Sequence, residues 1–191
     1  FFTVRDVANE YGYEPIRYLL ISSQYRSPIN YSTDIIEQCK ASLTRLYTCR
    51  DNLDFAIKNA ADGEADAEII KLIDGRKEQF IAAMDDDLNT ADALAAIFEL
   101  VRDINTKVIS GSANKATCEA AAKIFDELCS VLGIVYNRKS QSIDSEVEAL
   151  IEKRTHARKE KNWAEADRIR DELKSMGIVL EDTAGGVKWH R

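Results

Sequence analysis

Four residues near the C-terminal end of the sequence, Arg158, Trp163, Asp167 and Asp182, are of types that together could hold an unstacked nucleotide. An indole offers a face for a base to stack on, and a guanidinium donates to ring acceptors or phosphate. A carboxylate accepts from the Watson–Crick N–H groups of guanine. Trp163 and Asp167 are four residues apart, so on a helix they share a face. Arg158 precedes a break at Asn162 that lets it fold toward the same place, and Asp182 ends the first strand of a short extended pair. Each residue also has a plain structural reading. A tryptophan between two helices is as readily a core plug, and Arg158 with Asp167 would make an exposed ion pair of little worth.

Other chemistry is thinly represented. His156 and His190 are paired with no nucleophile at a recognisable spacing, so acid–base or covalent catalysis has no obvious site. No glycine-rich phosphate loop is present. The run Asp85-Asp86-Asp87 lies beside Asn89-Thr90, where carboxylates favour the positive end of the next helix over a dedicated magnesium cage. Cys39, Cys49, Cys118 and Cys129 sit inside helical patterns without any C-x-x-C pair. They read as reduced core thiols of a cytoplasmic protein, and no metal site is expected.

The elements that must position these residues are mostly helical. The chain has 191 residues, 45% of them hydrophobic, with only two prolines and eight glycines to interrupt long stretches. With a mean hydropathy of -0.32 this fits a well-cored protein. No apolar run approaches the roughly 20 residues that span a bilayer. Phe1-Phe2-Thr3-Val4 carries neither an initiator Met nor a signal pattern, so the chain reads as cut from something longer. Charge is uneven: the net value is -7, yet residues 151–191 hold 10 Lys and Arg against 8 Asp and Glu. An acidic body with a mildly basic tail is suggestive, although the excess is far from a basic stripe.

Along the chain, a short helix is expected from Val4 to Glu10. A second, opened by Pro15 and ended by Ser27-Pro28, carries an apolar face of Ile16, Leu19 and Leu20. Ser32 is placed to cap a long helix through Ile36, Cys39, Leu43, Leu46, Leu53 and Ile57, interrupted only at Arg50. Three more amphipathic segments follow. The first runs from Ile69 to Ala83. The second, capped at Asn89-Thr90, runs through Leu94, Ile97, Val101, Ile104 and Val108, and the third from Cys118 through Phe125 to Val131. Four helices with short connections bury their stripes best as an antiparallel bundle.

Asn137 to Ser142 is polar and aperiodic, and reads as a linker. A helix from about Ser145 and another from Trp163 follow, the second with an approximate capping box of Asn162 and Glu165. Gly177 supplies a left-handed stop, and Ile178 to Leu180 and Val187 to Trp189 form a hairpin around Thr183-Ala184-Gly185-Gly186. The expected fold class is therefore mainly α, a helical bundle followed by a small α/β module of two short helices and a β-hairpin. Its expected parts are junction helices over 1–31, the bundle over 32–136, a linker over 137–144 and the module over 145–191.

Several of these stretches resemble the cysteinyl-tRNA synthetase family. Phe1 to Val7 looks like the segment that follows its ATP-binding signature loop. Arg17-Tyr18-Leu19-Leu20 with Tyr25 to Ser32 is similar to the next landmark, and Ala83 to Thr90 to its bundle motif. The ending also fits, from Ala157-Arg158 through Trp163 to Asp167, Arg170 to Leu173, and Gly177 to Thr183 with Gly186 and Trp189.

The resemblance implies a bundle of the DALR anticodon-binding type, with a module that together with it grips the anticodon stem and loop of tRNA-Cys, anticodon GCA. Trp163 would stack on the first anticodon base, and Arg158, Asp167 and Asp182 would read its edges. The family joins cysteine to tRNA using ATP, with a zinc ion selecting the thiolate. Its ATP, magnesium and zinc sites belong to a catalytic domain upstream of Phe1, so this stretch should bind tRNA weakly and catalyse nothing alone. A monomer partnered by its own catalytic domain, with no membrane contact, is expected. Two other readings stand beside it: a cysteine ligase of the mycothiol pathway, and a non-catalytic helical interaction domain.

Overall fold

The computed structural model of the chain describes residues 3–138, 145–160, 162–176, 178–183 and 186–190. It divides into two compact units, residues 1–137 and 138–191.

The first unit is helical throughout its described elements: α1 (Val4–Tyr11), α2 (Tyr13–Ile21), α3 (Thr33–Asn59), α4 (Ala67–Asp85), α5 (Thr90–Asp103) and α6 (Lys115–Leu132). Local chemistry sets most starts. Thr3 and Asp6 form a reciprocal capping box on α1. The side chains of Ser32, Asp66, Asn89 and Asn114 each accept a backbone N–H from the first turn of α3, α4, α5 and α6. The caps at Asp66 and Asn114 were not anticipated. Asn114 also donates to the Glu64 carbonyl, which ties two helix entries together.

Helix α3 packs against α2 and α6, and α4 against α5 and α6. Between them Ile36, Leu46, Leu53, Ile73, Ile97, Leu100, Ile104, Phe125 and Leu128 are fully buried. Each such side chain contributes about 1.5–3 kcal/mol, which accounts for the preference for one bundle. Three expectations need correction. Helix α2 ends at Ile21, well before Ser27-Pro28, because the Ser22 hydroxyl and N–H both turn back to the Leu19 carbonyl. Leu20 and Val131 are exposed, while Tyr18 and Leu132 take the buried positions. Arg50 is no interruption of the α3 stripe: it is buried there, donating to Asp126 at 2.8 and 3.0 Å and to Asp54 at 2.6 Å. The second amphipathic segment also changes form midway. Ile104–Ile109 is a π-helical stretch, with the Ser110 N–H reaching back five residues to Asn105.

The second unit contains α7 (Ser145–Lys159), α8 (Trp163–Ser175), β1 (Val179–Thr183) and β2 (Gly186–His190). Helix α7 packs on α8, and Ile169, Leu173 and Ile178 form a small core flanked by Leu150, Ile151 and Leu180. Strands β1 and β2 pair antiparallel, with Asp182 opposite Val187. The expected glycine stop at Gly177 and turn residues Ala184 and Gly185 lie outside the described residues, as do Phe1, Phe2 and most of the linker.

Candidate nucleic-acid interface

The second unit turns sharply between its helices. The Asn162 N–H bonds the Ala157 carbonyl at 2.8 Å, closing α7, and the Asn162 side chain accepts the Glu165 N–H at 3.3 Å, opening α8. Only half of the expected capping box forms. The Glu165 carboxylate turns to Arg168 instead, at 2.7 and 2.9 Å, and that guanidinium holds its pKa below the usual carboxylate value.

This turn brings the last residues of α7 beside the first of α8. Between them is a cleft of about 310 Å3, lined by Arg154, Thr155, Arg158, Lys159 and Trp163. Trp163 is 58% exposed. A ring so placed is far more exposed than a core plug, and most of it is open to a ligand. Of the sequence candidates, Arg158 and Trp163 thus meet in one cleft. Asp167 lies one turn further along α8, exposed, and pairs with Arg170 at 3.3 Å. The weak ion pair it was considered to make with Arg158 is therefore not the one present. The side chain of Asp182 lies outside the described residues; its backbone is placed in β1, which packs on α8.

Sequence reading missed Arg154, Thr155 and Lys159. Their signal was available in the four-residue spacings from 154 to 158 and from 155 to 159, which set two adjacent rows on one face of α7. Thr155 donates its hydroxyl to the Ile151 carbonyl at 2.8 Å, and Arg154 is buried.

A second cleft, in the first unit, measures about 360 Å3 and includes Arg45, Phe98 and Arg102 in its lining. There the ring is already covered by Arg45, 4.9 Å from its centroid, and Arg102 is held by Glu99 at 2.6 Å. The hydroxyls of Thr44 and Thr106 bond to their own helices. These four side chains, Arg45, Arg102, Thr44 and Thr106, are satisfied within the protein.

The acidic run also resolves. Asp87 accepts from the Tyr25 hydroxyl at 3.1 Å and pairs with Arg26 at 3.3 Å, so it secures the segment after α2, not the start of α5. Asp92 occupies that first turn. Among the described residues no three His, Cys, Asp or Glu side chains stand together as a metal site, and no helix is long and apolar enough to cross a membrane.

Residues 79–136 match the model of the DALR domain, and residues 140–189 that of the cysteinyl-tRNA ligase anticodon binding domain. The two units thus carry domains of the anticodon-binding class. Over its full length the chain is 48% identical to a cysteine–tRNA ligase of Caldicellulosiruptor saccharolyticus. It is 45% identical to that of Clostridioides difficile and 44% to that of Symbiobacterium thermophilum. The whole chain is thus similar to cysteine–tRNA ligases, and its two matched domains are those of their anticodon-binding part. It spans 41–42% of the length of these relatives, matching their C-terminal part.

Proposed function

We infer that this chain recognises the anticodon stem and loop of tRNA-Cys, as part of a cytoplasmic ligase that joins cysteine to that tRNA using ATP. The observation that carries this reading is the exposed Trp163 beside Arg158 in the α7–α8 cleft, within the residues matched by the anticodon-binding model. An exposed indole offers a stacking face at no cost to the fold, and the neighbouring guanidinium suits acceptor atoms on a base edge. Trp163 stacks on the first base of the GCA anticodon. Arg158, Asp167 and Asp182 read its edges, Asp167 exchanging its exposed partner Arg170 for the base. Activation of cysteine, with ATP, magnesium and zinc, belongs to a catalytic domain of the ligase outside this stretch, and the enzyme acts as a monomer. A cysteine ligase with a small-molecule acceptor would have no use for this cleft.

The test is a binding titration of the chain with tRNA-Cys transcripts carrying the native or an altered first anticodon base. Tighter binding of the native transcript supports the reading, and equal affinity for both defeats it.

A further inference from the structure

Helix α2 has its polarity reversed. Its one carboxylate, Glu14, is buried, as are Pro15, Tyr18 and Leu19 on the same side of the helix. Outward stand Tyr13, Ile16 and Leu20, at positions i, i+3 and i+7, which places them in one continuous stripe. Tyr13 is 66% exposed and Leu20 57%, with Ile16 half-buried between them. Arg17 is the only other charged residue of α2, and its guanidinium is turned toward Gly133, 2.9 Å from the point that a Cβ there would occupy.

A helix on the surface of a domain normally turns its polar residues to water, and one that is apolar on both sides is packed on both sides. Here α1 and α3 cover the inner side of α2, and the outer stripe is left open. RNA is a poor match for it, because phosphates need cations and the stripe supplies none. A base could stack on Tyr13 but would leave the aliphatic Ile16 and Leu20 in water. A protein surface fits all three. The relatives are more than twice as long as this chain, which matches their C-terminal part. Most of their polypeptide therefore precedes the matched stretch, and α2 lies near the start of that stretch. Polypeptide joined so close to the stripe is held beside it at high effective concentration, which favours docking through a modest apolar contact.

Resting on the reading that catalysis belongs to a domain of the ligase outside this stretch, we propose that Tyr13, Ile16 and Leu20 form a surface on which that catalytic domain docks. The partner face is apolar and offers a polar atom to the Tyr13 hydroxyl. One short helix then carries contacts to both parts of the ligase, its inner side holding the bundle through Glu14 and its outer side holding the catalytic domain.

Hydroxyl-radical footprinting of this chain and of the full-length ligase reads the access of each side chain. Tyr13 and Leu20 should react readily in the chain and several-fold more slowly in the ligase, and equal rates in the two overturn the proposal. Tyr13→Ser combined with Leu20→Ser gives the second measurement. The double variant should leave the urea midpoint of the chain unchanged, since both side chains are already exposed there, and should lower that of the ligase. An equal fall in both proteins makes the stripe part of the chain's own packing, and no change in either leaves nothing docked on it; both results overturn the proposal. Self-association of the chain in sedimentation velocity, relieved by the double variant, assigns the stripe to a second copy. Weakened tRNA-Cys binding by the double variant of the chain assigns it to RNA. Either outcome also overturns the docking. None of these measurements compares anticodon bases, so the anticodon reading and the docking surface fail separately.

Discussion

The carboxylate of Glu14 accepts the backbone N–H of Val135 at 2.5 Å, joining α2 to the segment that leaves α6 across 121 positions of sequence. The same carboxylate accepts the Tyr47 hydroxyl at 2.8 Å and the Asn137 side-chain amide at 3.4 Å, and the Tyr47 oxygen accepts the Asn137 N–H at 3.0 Å. Val135 sits at φ +58, a conformation that a β-branched residue avoids. The node holds it there. Glu14→Ala leaves the Val135 N–H and the Tyr47 hydroxyl without their acceptor, and should lower stability by about 3 kcal/mol. Glu14→Gln keeps one acceptor oxygen and should cost less. Urea midpoints measured at constant m check both values.

Arg50 makes a different kind of contribution. Its guanidinium is buried, yet Asp54 and Asp126 are each more than a third exposed, so both carboxylates can return to water when it is removed. Arg50→Ala should therefore cost about 2 kcal/mol, less than the loss of one partner from a fully buried pair. Arg50→Lys should recover only part of this, because an ammonium cannot reproduce the two parallel bonds to Asp126. Thermal melts of the three proteins decide it.

Alkaline pH should unfold the bundle. Burial pushes the Cys49 thiol from its ordinary value of 9.0 up to about 12. Cys129 and Tyr47 are also raised, each chiefly by burial, with Glu14 holding the Tyr47 proton as well. The unfolded chain loses these protons first, so it binds fewer protons than the folded one at pH values between the two. Stability from these groups is complete below about pH 9 and is lost as pH rises toward about 12. Urea midpoints measured from pH 7 to 11 should be flat at first and then fall. Cys49→Ala should make the decline shallower.

The same burial protects the thiols. Cys39, Cys49, Cys118 and Cys129 are all free and buried, with raised pKa values, so little thiolate is present at pH 8. Mass spectrometry after iodoacetamide treatment should find them unmodified in the folded chain and modified in denaturant.

What the sequence disclosed was governed by distance along the chain. The caps at Ser32, Asn89 and Asn162 could be read because the accepting side chain and its N–H are three residues apart. Arg50 was misread because Asp126, which makes its burial tolerable, is 76 positions away. The π-helical stretch was invisible for another reason: Val101, Ile104 and Val108 keep the spacing of an ordinary helix, and only the backbone bonding differs. In the cleft, residue type singled out Arg158 and Trp163. Arg154 and Lys159 were overlooked, since a basic residue on a helix is usually solvated and only the turn at Asn162 gives these two a shared opening.

The central claim is that Trp163 is a stacking platform for the first anticodon base. It is tested most directly by measuring Trp163→Ala for both tRNA-Cys affinity and melting temperature. The account predicts a loss of about 1–3 kcal/mol in binding with an unchanged melt, because the ring is 58% exposed. Unchanged binding with a lower melting temperature would contradict it and make Trp163 a structural residue.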